Sequence, residues 1–140
     1  MKGQRILVVD DSAADRAALR MAFERAGPPV TLAFAENARD ALTQLRASDA
    51  PRPQIMLIDV HMPGASGLDL LADLKHDKSL REIPVFMLSG SEDRRDVAAA
   101  YRGHACGFMR KPKDFGGLRE LAGLMARLCT EALEFPDPEG

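Results

Sequence analysis

The sequence predicts an α/β domain, an open sheet with helices wound on both faces. Short apolar runs alternate with stretches of helical length along the chain. Several of those runs are continuous rather than alternating, as strands of a parallel sheet covered on both faces require. Three of them stop abruptly on a side chain that can accept a proton or bind a cation, at "RILVVDDS", "IMLIDVHMP" and "FMLSGSEDRRD".

The apolar runs fall at residues 6–9, 30–34, 55–58 and 85–88, with a weaker one at 107–109. The first helix begins after Ser12, with Asp15 three residues on as a variant of the capping box, and stops at Gly27–Pro28–Pro29. The second starts at Asn37 and carries Leu42 and Leu45, and the third follows Gly67 with Leu70, Leu71 and Leu74. The fourth runs from about 92 to 102 and ends at Gly103, and the fifth follows Asp114 and reaches about Leu133. Five strands and five helices give a doubly wound sheet. A single domain over 1–134 and a short disordered tail over 135–140 are expected, with no linker and no second domain.

At 140 residues, the chain is long enough for one hydrophobic core. A net charge of −2 gives no electrostatic reason to expect a nucleic-acid or acidic-membrane partner, and with no Trp and one Tyr there is little to stack on bases. Four apolar residues before Asp10 are too few for a signal-peptide core or a membrane span, so a cytoplasmic location is expected. Cys106 and Cys129 form no CxxC pair and read as buried, reduced thiols.

In doubly wound sheets the active groups gather at the carboxyl ends of the strands, where strand order reverses. That rule places Asp10, Asp11, Asp59, Ser89 and Lys111 at one rim. Three carboxylates packed together repel one another and lose hydration. A divalent cation resolves the conflict, and an all-oxygen set suits Mg²⁺.

These residues carry a resemblance. The chain is similar to receiver domains of two-component response regulators, over roughly residues 4 to 133. "VVDDS" resembles the acidic metal-binding pair and "LIDVHMPGASG" the phosphoacceptor segment. Ser89 lies thirty residues after Asp59, Lys111 twenty-two after Ser89, and "RKPKD" resembles the family's Lys-Pro element. The resemblance implies a flavodoxin-like fold with strand order 2-1-3-4-5. It implies Asp59 as phosphoacceptor from a kinase phosphohistidine. Asp10, Asp11, Asp59 and the His61 backbone carbonyl would hold Mg²⁺ or Mn²⁺. Ser89 and Lys111 would contact the phosphoryl group, and Ser89 with Phe108 would form the switch. A cis peptide bond between Lys111 and Pro112 is also implied. Such a protein is a phosphoacceptor rather than an enzyme, catalysing only its own phosphorylation and slow dephosphorylation.

Two departures bear on that reading. The family more often has Thr at position 89, though the hydroxyl is kept, and Phe108 lacks the polar tip of Tyr, so a core role competes with a switch role. His61 is expected at the mouth of the site, tuning phosphoryl lifetime. His76 and His104 have no partners at metal-ligand spacing.

Other classes fit less well. A phosphatase-type hydrolase would favour an Asp two residues after Asp59, where His61 stands. A flavin carrier would need a hydroxyl-rich phosphate loop, whereas "DDSAAD" repels phosphate. A phosphorylation-independent adaptor of the same fold usually lacks a key residue, and none is missing. With no output domain, the expected partners are a sensor histidine kinase and a downstream phosphotransfer protein. The stretch "LKHDKSLREIPVFMLSGSEDRRDVAAAY" is similar to stand-alone receivers paired with phytochrome-type kinases. The last helix carries more apolar surface than one covering face needs. A homodimer through Leu121, Leu124, Met125 and Leu128 is therefore expected, with packing under the chain end as the alternative.

Overall fold

The computed structural model describes residues 4–47, 49 and 51–136. Its five strands are β1 (Arg5–Val9), β2 (Thr31–Ala35), β3 (Ile55–Asp59), β4 (Val85–Ser89) and β5 (Gly107–Arg110). All pair in parallel, in the order β2-β1-β3-β4-β5. The helices are α1 (Ala13–Arg25), α2 (Ala38–Arg46), α3 (Gly67–His76), α4 (Arg94–Arg102) and α5 (Phe115–Arg127). The expected flavodoxin-like architecture is the observed one.

The strands' continuous apolar character has a simple cause. Successive side chains point to opposite faces, and both faces are covered. Leu7, Val9, Met56 and Ile58 face α2, α3 and α4, in one core with Ala41, Leu71, Leu74 and Ala100. Ile6, Val8, Ile55 and Leu57 face α1 and α5, in a second core with Leu19, Phe23, Leu118 and Met125.

Several boundaries differ from the sequence reading, including α2, which Asn37 caps and which starts at Ala38, and β2, which lies one residue later than its apolar run. Ser66 caps α3, so that helix starts at Gly67 rather than after it. Asp93 caps α4, which starts at Arg94 because the side chain accepts from Arg95 N. The α-helix α5 ends at Arg127 and continues as a π-helical turn, Leu128–Ala132, closed by Leu133 N–H donating to Leu128 O. Phe135 packs on the second core, so the tail expected to be disordered is held at its start, and residues 137–140 lie outside the described residues.

The α5 surface also needs correction. Met125 is 0% exposed in the second core and cannot belong to a docking face. Leu121 and Leu128 are half-buried against that core, and Leu124 alone of the four is exposed. Cys129 is buried, and burial pushes its thiol up to about 11. Cys106, expected to be buried, is exposed: it lies in the turn leading into β5, the edge strand, where it packs into neither core.

Candidate functional site

Strand order reverses between β1 and β3, and the carboxyl ends of those strands deliver the acidic groups. Asp59 is the last residue of β3, in register with Leu88. Asp10 follows β1 directly, its N–H donating to Ala35 O at 3.0 Å. The Arg16 guanidinium of α1 donates to Asp10 O at 2.8 Å and ties down the β1–α1 loop. Asp10 and Asp59 are buried, whereas Asp11 is exposed.

The loop after Asp59 is shaped by glycine. Gly67 N–H donates to Val60 O at 2.9 Å, which brings the start of α3 against the Asp59 main chain. A Cβ at Gly67 would collide with the Asp59 carbonyl oxygen, so only glycine fits there. Gly64, at φ +79°, makes the left-handed turn of the same loop.

Lys111 reaches in from the end of β5. Its Nζ lies 2.7 Å from Asp15 Oδ2, 3.2 Å from Asp10 Oδ2 and 3.6 Å from Asp59 Oδ2. Burial opposes its charge, but the bond to Asp15, with Asp10 and Asp59 behind it, outweighs that and raises its pKa. Burial pushes the Asp59 carboxyl up. Lys111 pulls it back, Asp10 and Asp11 push it further, and the His61 N–H bond at 3.4 Å favours the charged form, leaving it above the ordinary Asp value.

Ser89 ends β4, fully buried. Its Oγ accepts from Ser91 N–H at 3.0 Å, so the hydroxyl proton is free to donate elsewhere. Its carbonyl accepts from Lys111 N–H at 2.7 Å, which joins the two site residues through the main chain. A Cβ at Gly90 would meet nothing within 4 Å, and the approach beside Ser89 is open.

The expected cis bond is not found. Lys111–Pro112 is trans, the isomer favoured by about 0.5–1 kcal/mol before Pro. The Lys111 ammonium and N–H both reach their partners in that isomer.

One carboxylate oxygen from each of Asp10, Asp11 and Asp59 falls within 4.8 Å of the others. The set is all oxygen and acidic, two of its three members are buried, and one ammonium lies within 4 Å of two of them. That donor chemistry fits a small hard dication.

Beside this centre, the exposed His61 places its Nε2 3.2 Å from Asp96 Oδ2 of α4, an ion pair when the imidazole is protonated. Phe108 is half-buried beside the first core and lines the α4–β5 cleft with Val97 and Tyr101. Sequence reasoning did not single out Asp96, and it read Asp15 only as a capping residue. The spacing of Asp15 from Ser12 is the same in both roles, so only the position of Lys111 distinguishes them.

The comparisons agree with this geometry. A family model, response regulator receiver domain, matches residues 6–122. The chain is 31% identical over 117 residues to the probable methanogenesis regulatory protein FilR2 of Methanothrix harundinacea, covering 81% of this chain and 76% of that protein. It is 26% identical to the response regulator Rcp1 of Synechocystis, covering 94% and 92% of the two. The fold is shared with the phosphorylated cyanobacterial phytochrome response regulator RcpA at TM-score 0.88, 24% identity and coverage of 97% and 100%. The Mn²⁺-bound form of Rcp1 superposes at TM-score 0.85 and 25% identity, with coverage of 96% and 99%. Matched over most of its length and carrying the acidic cluster, the hydroxyl and the lysine at one sheet rim, the chain belongs to the response regulator receiver domain family of two-component signalling.

Proposed function

We propose that the protein accepts a phosphoryl group on Asp59 from the phosphohistidine of a sensor kinase, in a reaction that requires Mg²⁺ or Mn²⁺. The observation that carries this reading is the convergence of Asp10, Asp11, Asp59 and Lys111 around one buried carboxylate. An Asp59 oxygen forms a bond to phosphorus while the imidazole N–P bond breaks, and the imidazole takes up a proton. Such transfer is mainly positioning and charge neutralisation. Asp10, Asp11, Asp59 and the His61 carbonyl would hold the cation, which supplies positive charge to the phosphoryl oxygens when bound. Lys111 supplies another share. Ser89 donates its free hydroxyl proton to the modified Asp59, drawing the β4–α4 loop inward, with Phe108 and the α4–β5 cleft responding. The added charge of about −1.5 to −2 suffices to bias a loop with two arrangements.

The kinase is of phytochrome type by the resemblance of residues 74–101 to stand-alone receivers paired with such kinases, and the output is either a phosphorylation-dependent protein contact or onward transfer to a phosphotransfer protein. Among the described residues no helix is long and apolar enough to cross a membrane. The test is incubation with acetyl phosphate and Mg²⁺ followed by intact mass. Wild type gains about 80 Da; Asp59→Asn, excess EDTA, or Asp10→Ala with Asp11→Ala each abolish the gain. Full labelling of any of these overturns the reading. Asp59→Asn also stabilises the fold above the ordinary Asp titration range, because it removes a carboxylate whose charged form is disfavoured by folding.

Association is proposed through a revised patch in which Leu133 takes the place of the buried Met125: Leu124, the open sides of Leu121 and Leu128, and the exposed Leu133. Leu124→Glu then shifts a light-scattering dimer to monomer at micromolar concentration. A monomeric wild type, with and without a phosphoryl mimic at Asp59, removes the dimer from the reading.

A further inference from the structure

At α4 the Asp93 cap, with Asp96 three residues on, accepts from Arg95 N–H. Three other helices start on a capping side chain that accepts from the N–H of an Asp three residues later. These are Ser12 and Asp15 at α1, Asn37 and Asp40 at α2, and Ser66 and Asp69 at α3. In each, the first side chain accepts from the Asp main-chain N–H, at 3.1, 2.8 and 3.2 Å. The carboxylates then behave differently. Asp69 accepts from Ser66 N–H at 3.1 Å and Asp40 from Glu36 N–H at 3.0 Å, each turning back on its own helix start. Asp15 turns away. Its Oδ2 lies 2.7 Å from Lys111 Nζ, and the Ser12 N–H it would otherwise bind is taken by Asp10 Oδ1 at 2.9 Å.

We propose that Asp15 is a positioning residue that holds the Lys111 ammonium in the unmodified protein and competes for it with a phosphoryl group on Asp59. The inference rests on the phosphoacceptor reading above and names a regulator of that site.

The geometry gives the competition its direction. Of the three carboxylates around Lys111, Asp15 is nearest and Asp59 farthest, at 2.7 against 3.6 Å. The ammonium is therefore drawn toward the outer rim, away from the group that takes the phosphoryl. Asp15 is also the one that releases it most easily. Its side chain is 43% exposed, against 1% for Asp10 and 9% for Asp59. An exposed carboxylate that loses its partner is rehydrated, whereas a buried one is left as an uncompensated charge. A phosphoryl group brings a doubly charged set of oxygens to the side where Lys111 is held least closely. Asp15 thus sets a modest threshold for modification, by a side chain that touches neither the phosphoryl group nor the cation.

The test uses the full chain with Mg²⁺ and beryllofluoride as the phosphoryl probe. Asp15→Asn keeps the size and acceptor oxygen but removes the charge, and should tighten beryllofluoride binding up to about twofold. Asp15→Glu restores the charge and should return the affinity toward wild type. In the unmodified, metal-free protein, Asp15→Asn should shift the Lys111 side-chain NMR resonances toward their positions in the beryllofluoride complex, which a purely structural role would not do. Weaker or unchanged binding by Asp15→Asn, or unmoved Lys111 resonances, overturns the inference. If wild type labels on Asp59 with acetyl phosphate, that failure leaves the phosphoacceptor reading intact. If wild type does not label, the phosphoacceptor reading itself fails.

Discussion

The starts of α1 and α3 flank the same site and share a Ser-x-x-Asp sequence, yet they are built on different principles. At α3 the cap is closed by its own neighbours: Ser66 and Asp69 complete a reciprocal capping box, and Gly67 N–H binds Val60 O. The main chain around Asp59 is consequently fixed. At α1 only half of the box forms, because Asp10 takes the Ser12 N–H and Asp15 goes to Lys111. The charged side of the site is held by side chains, Lys111 lying within 4 Å of three carboxylates. Asp59 is located by backbone, and the charges around it by side-chain contacts.

The sharpest way to break that contrast is Gly67→Ala. A Cβ there meets the Asp59 carbonyl oxygen and carbon and the Ile58 side chain, and two of those three atoms are main chain that cannot rotate aside. Relief requires moving α3 or the end of β3, an overpacking cost on the order of 3 kcal/mol or more. Urea unfolding should show that loss, and labelling of Asp59 should fall with it because the displaced atoms belong to Asp59 itself. The residue at the equivalent first position of α1 is Ala13, where a Cβ is already accommodated. A Gly67→Ala protein that melts like wild type would mean the α3 start is as compliant as the α1 start.

The sheet and its five helices were legible because the signals are local and repeated, apolar runs covered on both faces and caps before helices, whereas the strand order came from the family resemblance. The five site residues were legible because the carboxyl ends of parallel strands share one rim, which turns sequence position into spatial position. Legibility stopped where an assignment depended on distant groups. Met125 and Leu124 are adjacent apolar residues of one helix, but one is sealed in the second core and the other is exposed, because neighbouring helix positions point about 100° apart. Cys106 reads as apolar until its place before an edge strand is known. Asp15 has the spacing of a cap, and only a lysine ninety-six residues away in sequence redirects it.

The smallest effects test the contrast most finely, because they compare like with like. Asp69→Ala removes an acceptor from Ser66 N–H and a negative charge from the first turn of α3, and should cost about 0.5–1 kcal/mol. Asp15→Ala removes no capping bond, since Ser12 N–H stays bound to Asp10 and the Ser12 hydroxyl still receives the main-chain N–H of residue 15. What it loses is an ion pair whose acid is substantially exposed, and Lys111 keeps Asp10 and Asp59 as partners. That pair contributes from about zero to a few tenths of a kcal/mol once solvent screening is counted. Parallel urea titrations of the two variants should therefore rank Asp69→Ala as clearly the more destabilised, although Asp15 makes the shorter contact. The reverse order would show that Asp15 supports the fold rather than the charge balance, and that the two helix starts are stabilised alike after all.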